Sequence, residues 1–152
     1  MSCNENKYSS SSHCVVDVVK FINELQDCST TTCGSGCEVP FLGAHSSSSV
    51  ANTRPFILYT KAGIPFEAFA PSGSLTESSR SPFFRIESVD DDSGAVLRVL
   101  TVTVGGDPVT PGDDPISTFL NLPNATLRGT NTCITVDLSY FCAIQCLRDV
   151  TI

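Results

Sequence analysis

From Cys14 to Asp27 the chain reads CVVDVVKFINELQD, with Val15, Val18, Val19, Ile22 and Leu25 three and four residues apart and Asp17, Lys20, Asn23 and Glu24 mainly between them. That period gathers the apolar side chains on one face of a helix of about three to four turns. The valines are stiff at χ1 and lower helix propensity slightly, but they do not cancel the period. Residues 1–13 are polar, serine-rich and aperiodic, which predicts a flexible N-terminal arm. After the helix, Cys28 to Cys37 holds Thr30, Thr31 and Thr32 in a row and the turn Gly34-Ser35-Gly36, so a cysteine-rich loop is expected there.

Beyond Glu38 the texture changes to short β-like runs punctuated by Pro and Gly: 54–61, 65–70, 83–89, 95–104, 116–122, 133–138 and 140–147. The clearest is Ala95 to Val104. Val96, Arg98, Leu100, Val102 and Val104 alternate with Leu97, Val99, Thr101 and Thr103, and apolar residues fall on both sides near its start. A strand covered partly on two faces is predicted. The turn Asp90-Asp91-Asp92-Ser93-Gly94 makes 83–89 and 95–104 a hairpin. Gly105 to Pro115 reads as a rigid, acidic surface loop. Strands at roughly ten-residue spacing with turn chemistry between them predict a mainly β fold, an antiparallel sandwich of jelly-roll-like type, with one N-terminal amphipathic helix. The expected organisation is an arm over 1–13 and a single globular domain over 14–152, with helix 14–27, loop 28–37 and sandwich 50–148.

Length and charge narrow the function. The 152 residues are the size of one domain, and no stretch of about 18 apolar residues is present to span a membrane. With 16 acidic against 9 basic residues the formal charge is −7, which argues against nucleic acid and anionic lipid as partners. Ser and Thr number 35, and the only lysines are Lys7, Lys20 and Lys61. Lysine is the usual guard on exposed strand edges, so self-association is expected.

The eight cysteines add the candidate chemistry. Cys3, Cys14, Cys28, Cys33 and Cys37 crowd the first quarter, and Cys133, Cys142 and Cys146 the last twenty residues. The start offers no apolar signal-peptide core, which predicts synthesis in a reducing cytosol. Two readings follow: a metal site, or cross-links formed later under oxidising conditions. Cys28-x4-Cys33-x3-Cys37, with His13, Cys14 or His45 as fourth ligand, would suit zinc in a protein-binding adaptor module, but the spacing is wider than that of zinc knuckles. Catalysis has little to draw on. His13 and His45 lie in polar, aperiodic sequence, and no nucleophile elbow, phosphate loop or His-Glu-x-x-His is present. The aspartates at 90–92 and at 107, 113 and 114 lack the alternation of a calcium loop, and the sequon at Asn124 matters only in a secretory pathway. If 140–147 is a strand, Cys142 and Cys146 share a face about 13 Å apart. A disulfide needs Cα atoms within about 7 Å, so each must find its partner elsewhere in the fold or on another molecule. Cys14 and Cys133 suit a second reading, as small buried hydrophobes.

The runs His13 to Cys28, Cys33-Gly-Ser-Gly-Cys37, Asn52 to Thr60, Phe84 to Asp92 and Phe141 to Asp149 resemble the spore coat protein Y/Z family of endospore-forming bacilli, most of all its cysteine-rich exosporium basal-layer members. The resemblance covers nearly the whole chain. It implies a structural protein without catalysis or cofactor, made in the mother cell and laid down at the spore surface. It further implies a cyclic, hexameric homo-oligomer extended into a hexagonal two-dimensional sheet, with other coat and exosporium proteins, paralogues included, as partners. The eight cysteines are then the cross-linking residues. The family is richer in cysteine in its second half, where this chain has Ser79, Ser117 and Tyr140, so fewer cross-links are implied there.

Overall fold

The structure, a computed structural model, describes residues 13–30, 51–71, 78–109 and 114–152. It opens with helix α1, Cys14–Thr30, three residues longer than the apolar period alone indicates. Val15, Val19, Ile22 and Leu25 are buried as the spacing requires, whereas Val18 is only half-buried and Val16, which the spacing does not place on this face, is buried. Gln26 is buried on the same face with its amide engaged: Nε2 donates to Ile86 O at 2.9 Å, and Oε1 accepts from Arg54 N at 3.2 Å. A buried amide costs stability unless it is bonded. Here it ties the helix to the sheet.

Among the described residues eight strands follow: β1 (Phe56–Thr60), β2 (Ala68–Pro71), β3 (Ser78–Ser81), β4 (Phe83–Val89), β5 (Gly94–Val104), β6 (Asp107–Pro108), β7 (Ala125–Asp137) and β8 (Phe141–Cys146). The main sheet runs β8-β1-β4-β5-β7, with β6 adding two residues to the far end of β5; β2 and β3 form a separate two-stranded sheet. Every pairing is antiparallel. The fold is therefore mainly β, antiparallel and sandwich-like, with an N-terminal helix.

The alternation along β5 explains where the core lies. Ala95, Leu97 and Val99 are buried with Phe56, Leu58, Phe84, Ile86 and the valines of α1, while Leu100 and Val102 are buried in a second cluster with Ile57, Phe83, Phe119, Ala125 and Leu127. Successive residues of a strand point to opposite faces. The first half of β5 thus buries one face and the second half the other, the two-sided covering that its sequence predicts. The opposite face of its first half carries Arg98, beside Arg85 and Glu87 of β4. The β4–β5 turn is held by Asp90, whose Oδ1 accepts from Asp92 N and Gly94 N, both at 2.9 Å. A Cβ on Gly94 would meet that carboxylate, so a larger residue there would have to push the Asp90 side chain out of its two turn bonds.

Three expectations need correction. Residues 116–122 are not a strand: Pro115–Asn121 is a helix, α2. Asp114 caps it, accepting from Ile116 N at 3.2 Å and Ser117 N at 3.3 Å, and Pro115 brings a helical φ without needing a hydrogen-bond partner. These end effects outweigh the β preference of Ile116 and Thr118, and Phe119 anchors the turn edge-on against Phe83. The strand expected at 133–138 is the far end of the 13-residue β7, whose polar first half hid its length. Cys28 is helical, so the loop expected over 28–37 does not begin there; residues 31–37 and the arm at 1–12 lie outside the described residues.

Candidate assembly surface

The sheet ends in two edges among the described residues. β7 pairs only with β5, and β8 only with β1. An edge strand presents unpaired N–H and C=O groups and is normally blunted with Lys, Pro or a short length. β8, Phe-Cys-Ala-Ile-Gln-Cys, carries no charge, and β7 runs 13 residues with Arg128 and the terminal Asp137 as its only charges. The scarcity of lysine seen in the sequence thus coincides with bare edges.

Three of the predicted cross-linking residues lie on these two strands. Cys133 is on β7, opposite Arg98, and Cys142 and Cys146 are on β8; all three are exposed. Cys14, at the first residue of α1, is exposed as well, so neither Cys14 nor Cys133 is a buried hydrophobe. Cys3, Cys33 and Cys37 lie outside the described residues, as does the Cys28 side chain; so does His45. His13 precedes α1 and is exposed. The structure therefore brings Cys142 and Cys146 onto one strand and leaves Cys14 and Cys133 on other elements. No three of His, Cys, Asp and Glu converge among the described residues.

β8 is pinned at both ends. Its register on β1 runs Phe56 to Cys146, Ile57 to Gln145, Leu58 to Ile144 and Tyr59 to Ala143, then slips so that Thr60 meets Phe141. Cys142 is the additional residue of this bulge, and its thiol donates to Thr60 O at 3.0 Å. At the other end the Arg54 guanidinium grips Asp149 with two bonds, 2.8 and 3.0 Å. Cys146 is exposed as a residue, yet its thiol sits against this pair. Burial pushes its pKa up, Arg54 pulls it partly back and Asp149 adds to the rise. The charge of Arg54 is held chiefly by the hydrogen bond to Asp149. After β7, Asp137 accepts from Ser139 Oγ and Ser93 Oγ, both at 2.6 Å, and from Ser139 N at 2.9 Å. Those bonds, the Ser139 hydroxyl first, hold its carboxyl below the ordinary aspartate value.

A depression of about 610 Å³ opens on the sheet face that carries Arg85, Glu87 and Arg98, bordered by Asn52 and Ile152. Its charges largely answer one another: Glu87 Oε1 lies 2.6 Å from Arg98 Nε and 3.4 Å from Arg85 Nε. The Glu87 hydrogen bond raises the Arg98 pKa. Arg85 also donates to Thr53 Oγ1 at 2.6 Å, and Arg98 to Thr130 O at 3.0 Å. This is an ion-paired brace between β4, β5 and β7.

Sequence reasoning found the cysteines but not the edge strands that carry them. The one available signal for the edges was the lack of lysine and proline in 125–146.

The family model described as spore coat protein Z matches residues 1–149. The chain is 34% identical over 142 residues to spore coat protein Z of Bacillus subtilis (strain 168), with 90% of each chain covered. No solved structure matches it.

Proposed function

The chain belongs to the spore coat protein Z family, and from that premise we propose that it is a structural, self-assembling component of the outer spore layers, tiled into a two-dimensional lattice and hardened by disulfides. Copies meet first through noncovalent edge and face contacts. Head-to-tail contacts that close give a ring, in this reading a hexamer, and a second contact joins rings into a sheet. Oxidation then rivets neighbours through the cysteines: Cys3, Cys14, Cys28, Cys33, Cys37, Cys133, Cys142 and Cys146. An unstrained disulfide contributes about 2 to 4 kcal/mol, and many per sheet confer kinetic resistance to heat and denaturant. The layer is that of the exosporium or outer coat, where paralogues and other coat proteins are the remaining partners.

The observation that supports this reading is the placement of exposed thiols on uncharged or nearly uncharged edge strands. A chain that needed only its own stability would bury or pair them. The test is electron microscopy of the recombinant chain with a nonreducing gel. Ordered rings or sheets are expected, with high-mass ladders that collapse under reductant. Replacing Cys3, Cys14, Cys28, Cys33 and Cys37 together by serine should leave sheets that form but dissolve on heating. Isolated particles alone, at high concentration under oxidising conditions, overturn the proposal.

A further inference from the structure

We propose that two copies of this chain pair β8 against β8 about a twofold axis through Ile144, so that Cys142 of each copy is cross-linked to Cys146 of the other. The inference rests on the self-assembly reading and goes further, naming one interface and one disulfide pairing.

It begins with which backbone groups of β8 have no partner among the described residues. Leu147 N–H donates to Pro55 O at 2.9 Å, and Leu147, Gln145 and Ala143 alternate with Cys146 and Ile144 along the strand. On the other strand, Leu58 O accepts from Phe66 N and Thr60 N donates to Ile64 O, so the groups of Leu58 and Thr60 turn away from β8. In an antiparallel ladder, residues alternate between facing the neighbour and facing away. Ala143 and Gln145 therefore bond to β1, and the groups of Ile144 and Cys146 point to the open edge. Cys142, as the extra residue of the bulge, has no register partner on β1, and its thiol is held there by the single bond to Thr60 O, which the cross-link replaces.

The cysteine spacing then selects the register. Positions 142 and 146 lie two residues either side of Ile144, so an antiparallel pairing about Ile144 sets each Cys142 opposite the Cys146 of the other copy, twice. Directly opposed residues in a hydrogen-bonded pair have Cα atoms about 5.5 Å apart. That falls inside the separation a disulfide takes, with its mode near 5.5 to 6 Å. Within one chain the same two residues are about 13 Å apart and cannot close. A second copy is favoured as occupant because β8 set against itself brings each Cys142 to a Cys146, and because the strand carries no charge, so no like charges meet across the axis.

Closure is an oxidation: two thiols lose two protons and two electrons for each S–S bond formed. A small-molecule disulfide such as oxidised glutathione serves as oxidant. One thiolate attacks it and releases one glutathione thiolate, the second thiolate attacks the mixed disulfide and releases the other, and two thiols of glutathione result.

The test uses the full chain with Cys3, Cys14, Cys28, Cys33, Cys37 and Cys133 replaced by serine, carrying in addition either Cys142→Ser or Cys146→Ser and a size tag on one of the two. Under oxidised glutathione neither protein alone should form a covalent dimer, because each meets serine across the axis. Their mixture should form the heterodimer. A covalent dimer from either protein alone, or none from the mixture, overturns the pairing. A second measurement leaves the cysteines in place. Position 143 faces 145 across the axis, so Ala143→Lys with Gln145→Lys should abolish the cross-link by repulsion, and Ala143→Lys with Gln145→Glu should restore it. Equal cross-linking in all three overturns the register. Wild-type sheets that form without this cross-link would sink the inference and leave the assembly reading standing. The heterodimer without sheets would do the reverse.

Discussion

Cys146 shows how a local environment sets the order of a chemistry. Its thiol is desolvated against the Arg54–Asp149 pair, and burial raises its pKa more than Arg54 lowers it. The thiolate is the attacking species in exchange, so a raised pKa slows this residue at neutral pH. We expect the pH profile of Cys146 alkylation, followed by mass spectrometry, to have its midpoint above the ordinary thiol value near 8.5. A midpoint at or below that value would contradict the packing described. The sign also carries to stability. A folded-state pKa raised above the unfolded one means that the folded protein holds the proton longer, so stability is unaffected at acid and neutral pH and falls as pH rises through the alkaline window between the two values. For Asp137 the direction is opposite: the contribution of its bonded carboxylate is present above the unfolded value and is lost as pH falls through the lower folded one.

At the level of elements, α2 and its anchor are the sharpest case. Phe119 is fully buried, edge-on to Phe83 at a ring separation of 5.5 Å, with the Arg148 guanidinium 4.1 Å from its centroid. Phe119→Ala should cost about 3 to 5 kcal/mol, because the second core cluster is left with a cavity that rigid strands cannot close. Asp114→Ala should cost about 1 kcal/mol, the usual loss for an N-cap. Thermal melting separates the two, and equal effects would mean that the helix is not held by its aromatic anchor. The contrast with α1 is instructive. Five apolar residues at helical spacing announce α1 in the sequence, whereas the seven residues of α2 fit two strand-like alternations equally well. Only Asp114-Pro115, a capping residue before a proline, distinguishes them locally. The Asp90–Gly94 hairpin, by contrast, was legible because its turn chemistry is complete within five residues. The length of β7 was not, because Arg128, Gly129, Thr130 and Asn131 look like a loop until β5 is beside them to pair with.

For the whole molecule, the balance between remaining single and joining neighbours is set at the strand edges. β7 exposes its outer edge with no lysine along it, and Thr135 is exposed opposite Val96. Thr135→Lys should leave the melting temperature of the isolated chain nearly unchanged and raise the concentration at which ordered material appears in light scattering; an unchanged threshold would show that β7 takes no part in assembly. Composition, cysteine positions, the amphipathic helix, the two-sided strand at 95–104 and the hairpin before it were all determined by the sequence itself, since each depends on neighbours within a few residues. The tertiary structure alone decided that Cys133, Cys142 and Cys146 stand on outer strands and that the core lies on opposite faces of one sheet. Strand order is a matter of contacts between residues as far apart as Phe56 and Cys146, and no local period records which strand has no second neighbour among the described residues.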